Sequence, residues 1–304
     1  MKQIIIFIVG PTSSGKSRVA ASLARKINGE VVSCDSMQVY RDMDIVTRPP
    51  EKDLLEMAAH HLVRIISPEE EFSAALFVER AKTAIIDIFA DKNTPIITGG
   101  TGLYMKALID GIFEAPPKNE ILRKELEDLA EEKGRHALYK RLKEIDPETA
   151  DRLHPNDIYR IIRAIEVYSL TGETIAEKRK GTEGIFGEYD CRLFGLEIPR
   201  DILCSRIENN VDKMFEEGLV KEVERINKLK LSLTAKKALG IKEITAFLRG
   251  EISQTKAKEE LKKNTRRYAK RQLTWFRGDE RVMWIDGDRS VEDIVKEIEL
   301  RTTN

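Results

Sequence analysis

The feature that most constrains this chain is a phosphate-binding motif placed between a predicted strand and a predicted helix. The apolar run Ile4–Val9 is followed by Gly10-Pro11-Thr12-Ser13-Ser14-Gly15-Lys16-Ser17, which fits the pattern G-x-x-x-x-G-K-S/T, and a helical pattern then covers Lys16–Ile27. The loop amides, the start of the helix and the Lys16 ammonium group can together surround an anion. We therefore predict that Gly10 to Ser17 bind a diphosphate, and that the Ser17 hydroxyl ligates a phosphate-bound Mg²⁺.

The elements that follow predict an α/β fold. A β-branched run such as Ile4–Val9 is typical of a central parallel strand that is covered on both faces. A second strand is predicted over Glu30–Ser33, a crossover helix over Phe72–Phe89 and a third strand over Thr94–Thr98. This alternation indicates a P-loop NTPase-like core, in which a parallel sheet is flanked by helices.

The pattern becomes purely helical after the prolines at Pro116-Pro117, which predicts an all-helical insertion domain. Strand character returns at Arg192–Ile198, after a glycine-containing stretch at 175–190 that we interpret as a linker. The predicted division is a first part of the core at 1–115, the insertion at 116–185 and a second part of the core at 186–304.

The third predicted strand lacks the acid that a nucleotide hydrolase uses to hold Mg²⁺. It runs into Gly99-Gly100-Thr101, which favours a diphosphate that is a leaving group over ATP and leaves ATP binding open. Asp35 lies just beyond the second strand, at the carboxyl edge that the phosphate loop also occupies. Asp35 either accepts a proton from a nucleophile or caps the following turn, and Thr101 either contacts the leaving oxygen or caps the helix that begins near Gly102.

A strongly basic stretch near the C-terminus favours nucleic acid as a partner. The chain has 52 Lys and Arg and 52 Asp and Glu residues, so only a local patch can attract a polyanion. Between Gln254 and Arg277 there are nine basic residues and two acids, and the last fourteen positions hold no acid. Five positions share one helix face, namely Lys263, Arg267, Lys270, Thr274 and Arg277. A plain solvated face is the alternative, and Trp275 and Phe276 are interpreted as core residues.

Composition excludes several other classes. The three cysteines form no C-x-x-C pair and the four histidines have no metal spacing, so neither a zinc site nor a disulfide framework is expected. The longest apolar run, Ile4–Val9, is too short for a membrane span. A cytoplasmic protein is expected.

Together these motifs resemble the bacterial tRNA dimethylallyltransferases, also called tRNA isopentenyltransferases, over nearly the whole chain. Five stretches carry the resemblance: the phosphate loop, Asp35-Ser36-Met37-Gln38-Val39-Tyr40, Gly99-Gly100-Thr101-Gly102-Leu103-Tyr104, His154-Pro155-Asn156-Asp157 with Arg160 and Arg163, and Lys270-Arg271-Gln272-Leu273-Thr274-Trp275-Phe276-Arg277. The resemblance implies transfer of a dimethylallyl group from dimethylallyl diphosphate to the N6 amine of the adenosine 3′ of the tRNA anticodon. It also implies a helical insert that grips the tRNA against the core.

The resemblance also implies roles for individual residues. Asp35 would be the general base, Thr101 a partner of the leaving oxygen and Arg206 an arginine at the diphosphate. The implied tRNA contacts are Asp35, Ser36, Met37, Gln38, Thr101, Arg123, Tyr159, Arg160, Ile161, Ile162, Arg163, Lys270, Arg271, Gln272, Thr274 and Arg277. From the residues alone, Arg160 and Arg163 suit either a phosphate clamp or a solvated face, and Ile161 and Ile162 belong to a buried stripe.

The chain departs from the family pattern at several positions. Asn210 replaces a common second arginine, Arg48 stands in a segment that usually holds a lysine, and Ile241 follows Gly240 where tyrosine is usual. Arg64 and Ser67 replace aspartates.

Three other functions were weighed. An adenylate isopentenyltransferase would act on free nucleotide, but it needs neither the insert nor the basic helix. A P-loop kinase would use Asp35 to deprotonate a hydroxyl, and a non-catalytic tRNA-binding protein would not need Asp35. We expect a monomer without an obligate protein partner.

Overall fold

The computed structural model of the chain describes residues 2–113 and 115–303. These residues form two compact units, one made of 1–109 with 185–304 and the other of 110–184. The chain thus changes unit at 109/110 and 184/185, where the sequence suggested 115/116 and 185/186. The first change lies at the end of a helix that runs from Gly102 to Asp110.

The larger unit contains, among the described residues, a six-stranded sheet in which every pair of neighbours is parallel. The strands are β1 (Ile4–Val9), β2 (Gly29–Ser33), β3 (His60–His61), β4 (Thr94–Gly99), β5 (Asp190–Glu197) and β6 (Val282–Asp286). Their order across the sheet is β3-β2-β4-β1-β5-β6. The predicted α/β fold class is confirmed, although the two-residue β3 is too short to leave a pattern in the sequence.

Helices surround this sheet and make up the smaller unit. Before the insertion they are α1 (Lys16–Ile27), α2 (Asp44–Thr47), α3 (Lys52–Met57), α4 (Ala74–Ala90) and α5 (Gly102–Asp110). The smaller unit contains α6 (Glu120–Lys133), α7 (Arg135–Ile145), α8 (Pro147–Asp151), α9 (Ile158–Thr171) and α10 (Ile175–Lys180). After the insertion, the helices of the larger unit are α11 (Arg200–Glu216), α12 (Leu219–Ile226), α13 (Ile241–Leu248), α14 (Gln254–Arg277) and α15 (Val291–Thr303).

The predicted linker at 175–190 is wrong in its first part, because Ile175–Lys180 form helix α10. Thr174 starts this helix through a reciprocal capping box with Glu177, and such a box satisfies two backbone amides that would otherwise lack partners. The glycines that suggested a flexible segment come only after the helix has ended.

Each unit has its own apolar core. In the larger unit, β1 is fully buried from Ile5 to Val9, and α1 and α15 cover one face of the sheet. In the smaller unit, side chains of α6, α7 and α9 pack around Leu138, Leu142 and Ile165. Within the described residues, no helix combines the length and the apolar character that crossing a membrane requires.

Parallel pairing brings three loops to one edge of the sheet. Since β4 lies between β1 and β2, the loops after these three strands emerge side by side. The approach is closest at Gly99, where an added Cβ would lie 2.0 Å from the carbonyl oxygen of Cys34. Only glycine fits there without moving β2 away from β4.

We expect Gly99→Ala to lower the free energy of unfolding by about 1–3 kcal/mol, because the methyl group would overlap the backbone of Cys34. Urea unfolding measures this loss. Gly187→Ala is the matched control, since a Cβ at Gly187 meets nothing within 4 Å. Equal stability of the two variants would contradict the close approach.

Candidate active site

The phosphate loop after β1 has a conformation suited to surrounding an anion. Ser13 and Gly15 have positive φ angles of 65° and 86°, and Gly15 is followed directly by the first turn of α1. Lys16 Nζ donates a hydrogen bond to the carbonyl oxygen of Pro11 at 3.1 Å, so the side chain folds back along the loop. Burial lowers the pKa of the Lys16 ammonium group, and the nearby Asp35 carboxylate opposes this shift. A positive charge is thus held between the phosphate loop and the loop that follows β2.

Two side chains from distant helices hold the phosphate loop. The Asn210 side-chain amide on α11 donates to Ser13 Oγ at 2.9 Å, and the Thr12 backbone amide donates to Gln272 Oε1 on α14 at 2.8 Å. Asn210, which looked from the sequence like a lost phosphate contact, therefore supports the loop itself.

Asp35 uses its two carboxylate oxygens differently. Its Oδ1 accepts hydrogen bonds from the backbone amides of Met37 at 2.9 Å and Gln38 at 3.4 Å. Its Oδ2 has no hydrogen-bond partner among the described residues. The capping role considered from the sequence is thus filled by one oxygen, and the other remains available to accept a proton.

Thr101 connects the loop after β4 to the loop that carries Asp35. Its Oγ1 accepts a hydrogen bond from the Ser36 backbone amide at 3.0 Å, and its own amide donates to Cys34 O at 3.3 Å. Its carbonyl oxygen also accepts from the Met105 amide, so Thr101 begins α5 as well. Its contacts are therefore made within the protein, at the edge where Asp35 and the phosphate loop lie.

The inner face of α14 covers this edge, and sequence reasoning missed its part in the site. Gln272 was predicted to touch tRNA, but it is only 5% exposed, and its Nε2 donates to Gly100 O at 2.9 Å. Its side chain is thus committed to the core, which corrects that prediction. Tyr268, one helical turn earlier, lies near Asp35, and burial together with that negative charge raises its pKa to about 12. The i, i+4 spacing of Tyr268 and Gln272 places both on one face of the helix, and this spacing was the signal in the sequence that could have revealed their shared position.

Trp275 also differs from its predicted core position. It lies against Gly102, where an added Cβ would come within 2.3 Å of the indole ring, yet the side chain is 42% exposed. Phe276 is buried, as expected.

Six of the nine cations of α14 are paired with acids, four of them with acids from other elements of the fold. Lys258 and Lys262 bind Asp212, Arg266 binds Glu208 and Arg277 binds Glu197, while Lys256 and Lys263 bind Glu260. Among the described residues, Arg267 and Lys270 have no ion-pair partner, and Arg271 stacks on the Tyr268 ring at 5.6 Å. These three cations line a groove of about 970 Å³ together with Thr274 and Trp275. The free cationic surface is therefore narrower than the sequence suggested.

A second and larger cavity opens beside the phosphate loop. Its volume is about 1080 Å³, and Lys16, Ser17 and Arg206 line it together with the apolar side chains of Val211 and Met214. Arg206 reaches this cavity from α11 but forms an ion pair with Asp288 at 2.7 Å. Charged, hydroxyl and apolar groups thus meet at one cavity, as an amphiphilic diphosphate requires.

Two further departures from the family pattern, Arg48 and Arg64, lie on the wall of this cavity. Arg48 lines the cavity and forms an ion pair with Glu217, and Arg64 also lines it, bound to Asp44 at 2.6 Å. The Ser67 backbone amide donates to Glu70. Ile241 is buried at the start of α13. Nothing in the structure explains why serine stands at position 67.

In the smaller unit, several residues implied to touch tRNA are internal. Ile161 and Ile162 are buried in its core, and Arg123 binds both carboxylate oxygens of the fully buried Glu166 at 2.8 Å. Arg163 donates to the same carboxylate at 2.6 Å. Apolar packing and this charge network therefore bury Ile161, Ile162 and Arg123, whereas Arg163 keeps 23% of its side chain exposed. The implied tRNA contacts of these residues stay predictions.

Tyr159 and Arg160 remain exposed on α9. The Arg123 guanidinium lies 5.6 Å from the Tyr159 ring centre, so the buried network supports one of these exposed side chains.

We expect Glu166→Ala to lower the free energy of unfolding of the smaller unit by about 3–5 kcal/mol, because it leaves two arginines without their shared partner. Burial alone would raise the pKa of Glu166, but hydrogen bonds from Arg123 and Arg163 outweigh burial and hold it at about 2. Because the folded pKa is depressed, this stabilisation is complete above the usual value of 4.5 and is lost as the pH falls from 4.5 toward 2.

Hydrogen exchange of the amides in α6 and α9 measures the loss in the full chain, at neutral pH and at about pH 3. Glu127→Ala, which removes an exposed carboxylate from α6, is the control. Protection that is as high in Glu166→Ala as in the control would contradict the network.

The site also fits a magnesium ion that is held mainly by the substrate. Mg²⁺ commonly takes one or two protein oxygens and fills its other positions with phosphate oxygens and water. The Ser17 hydroxyl, at the start of α1 and on the cavity wall, is such an oxygen. Among residues 2–113 and 115–303, His, Cys, Asp and Glu form no cluster of three or more that would hold a metal ion.

The fold and the loop after β1 define a P-loop protein with a candidate phosphate site at the carboxyl edge of a parallel sheet. The IPP transferase family model matches residues 38–279. The chain is 44% identical to tRNA dimethylallyltransferase 2 of Geotalea uraniireducens, over 97% of this chain and 96% of that protein. It is 43% identical to the tRNA dimethylallyltransferase of Geobacter sulfurreducens, over 96% and 95% of the two chains.

Solved structures give the same assignment. The crystal structure of the tRNA isopentenylpyrophosphate transferase of Bacillus halodurans matches with a TM-score of 0.72 and 38% identity, over 100% of this chain and 96% of that one. A eukaryotic dimethylallyltransferase acting on tRNA matches with a TM-score of 0.74 and 29% identity, over 94% and 74% of the chains. The chain belongs to the IPP transferase family, and the family prediction is confirmed.

Proposed function

We propose that this chain transfers the dimethylallyl group of dimethylallyl diphosphate to the N6 amine of the adenosine at position 37, next to the tRNA anticodon on its 3′ side. The observation that carries the proposal is the phosphate loop on the wall of the cavity, with the Asp35 carboxylate near enough to interact with Lys16 of that loop. The new bond joins N6 to the terminal allylic carbon, and the bond from that carbon to the diphosphate oxygen breaks. The products are N6-isopentenyladenosine and diphosphate.

The phosphate loop stabilises the departing charge. An allylic diphosphate ionises when its leaving oxygen is stabilised, so cations and amides at this position lower the barrier most. Lys16 and the loop amides provide this stabilisation. Arg206 adds a further cation when the diphosphate displaces Asp288, with which it now forms an ion pair.

Asp35 orients the adenine amine and accepts its proton through Oδ2. N6 is a weak nucleophile, so correct positioning and proton removal both contribute to the rate. The hydrogen bonds at Oδ1 and the contact between Thr101 and Ser36 hold the Asp35 loop in place while this occurs.

We propose Mg²⁺ as the cofactor, with Ser17 as its protein ligand. When bound, the ion would neutralise part of the charge that develops on the diphosphate. Dimethylallyl diphosphate is the proposed donor, and the reaction needs no further protein.

The tRNA substrate is held by cations that are not neutralised within the protein. Arg267, Lys270 and Arg271 on α14 suit phosphates of the anticodon stem and loop. The target base lies in a single-stranded loop, so turning it out of its stack costs only a few kcal/mol.

We expect Asp35→Asn to reduce transfer on the order of 10²- to 10⁴-fold, because the amide keeps the capping acceptor but cannot take up the proton. The assay combines protein, Mg²⁺, dimethylallyl diphosphate and unmodified tRNA, followed by digestion and mass spectrometry of the nucleosides. The wild-type protein should yield an adenosine heavier by one isoprene unit, and tRNA binding by the variant should be unchanged.

Asp87→Asn, on the exposed side of α4, is the matched control and should leave transfer unchanged. The same transfer assay with a metal chelator added tests the Mg²⁺ requirement. Prenylation of free AMP at the same rate as tRNA would favour a nucleotide prenyltransferase, and turnover of ATP without isoprenoid would favour a kinase. Either result, or full activity of Asp35→Asn, would overturn the proposed reaction.

We expect the double variant Arg267→Ala/Lys270→Ala to weaken tRNA binding and to reduce the slope of log K against log salt by about 1.4–1.8, since each phosphate contact adds about 0.7–0.9. Filter binding over a range of salt concentrations measures the slope. Lys256→Ala/Lys263→Ala removes two cations of the same helix that are already bound to Glu260, and it should change the slope much less. Equal slopes for the two double variants would contradict the assignment of the free cations to tRNA.

A further inference from the structure

The Gln272 side chain forms a two-ended bridge between the phosphate loop and the loop after β4. Its Oε1 accepts a hydrogen bond from the Thr12 amide at 2.8 Å, and its Nε2 donates to Gly100 O at 2.9 Å. The side chain is buried, so water does not compete for either bond. Both polar atoms of the Gln272 side chain are thus engaged within the protein.

A short series of contacts connects the Gln272 bridge to Asp35, the proposed base. Gly100 precedes Thr101, whose Oγ1 holds the Ser36 amide at 3.0 Å, and Ser36 follows Asp35. One amide side chain thus fixes the loop that binds the leaving group relative to the loop that carries the base.

The bridge also lies directly beneath the proposed tRNA surface. Gln272 follows Lys270 and Arg271, which are exposed on the outer face of the same helix. A phosphate bound by these cations and the two catalytic loops are therefore held by opposite faces of one turn of α14.

We propose that Gln272 is a positioning residue, through which helix α14 aligns the leaving-group loop and the Asp35 loop for transfer. This inference rests on the proposed function. Gln272 contacts no substrate, and its effect is exerted through the backbones of Thr12 and Gly100. Two roles compete with it, namely a direct tRNA contact and simple stabilisation of the fold.

The test replaces Gln272 by methionine, which keeps the length and volume of the side chain and removes both hydrogen bonds. We expect kcat to fall on the order of 10²-fold, since a small misplacement of reacting groups has effects of that size, and KM for tRNA to stay within about threefold of wild type. The Kd of inorganic pyrophosphate, measured by calorimetry, should rise roughly tenfold. Asn264→Ala is the matched control, because it removes a side-chain hydrogen bond from the same helix, to Glu243, away from this edge.

Gly100→Ala disrupts the bridge at the residue that accepts the Nε2 hydrogen bond. An added Cβ at Gly100 would lie 2.0 Å from Gln272 Nε2 and would displace the side chain without changing it. If both variants break the same bridge, the kcat of the double variant Gln272→Met/Gly100→Ala should be no lower than that of the less active single variant. Because the two substitutions break the bridge from different elements, either single variant still tests the inference if the other is unstable.

A rise in KM for tRNA with kcat unchanged would overturn the inference in favour of a direct tRNA contact. A fall in melting temperature with kcat retained, as expected for Asn264→Ala, would overturn it in favour of stability alone. Multiplicative losses in the double variant would also contradict it. If the wild-type protein transferred no isoprenoid, the proposed function would fail, and the pyrophosphate Kd would still decide whether Gln272 holds the phosphate loop.

Discussion

The candidate site depends on the close parallel pairing of β2, β4 and β1. Three loops carry the candidate functional groups, and each emerges at the same edge only because the strands run in one direction and lie next to each other. Gly99 permits the final approach, since its missing side chain lets the Cys34 backbone lie against β4. The spacing between the loop that carries Asp35 and the loop that carries Thr101 thus begins with a backbone contact.

Ion pairs decide which charged side chains of this molecule are available to a ligand, and the composition gives little indication of which ones these are. Acids from α11 and β5 neutralise cations of α14, so Arg267, Lys270 and Arg271 remain as a compact group. In the smaller unit, one buried carboxylate binds two arginines that the family pattern had implied to touch tRNA. Arg123 thus supports the exposed Tyr159 ring from within the unit.

Much of the fold was predictable because its signals are local. The strand Ile4–Val9, the helix Lys16–Ile27 and the phosphate loop follow from apolar runs and glycines, and the structure gives the same bounds. The roles of Asp35, Thr101 and Arg206 stay predictions, although all three lie in the larger unit, at the edge or on the cavity wall. The linker at 175–190 was wrong in its first part, because Thr174 and Glu177 start a helix there. The burial of Gln272 could not be predicted, because its hydrogen-bond partners Thr12 and Gly100 lie far away in the chain.

The sequence by itself determined the class of fold, the diphosphate loop, the candidate base and the family, since each is written in contiguous residues whose chemistry needs no distant partner. Only the tertiary structure decided which cations are free, which oxygen of Asp35 is available and what Gln272 does. The role of Gln272 depends on pairs more than a hundred residues apart, with Thr12 and with Gly100, that the fold brings within 3 Å. Hydrogen bonds and ion pairs act only at such short range, so the fold had to be known before they could be assigned.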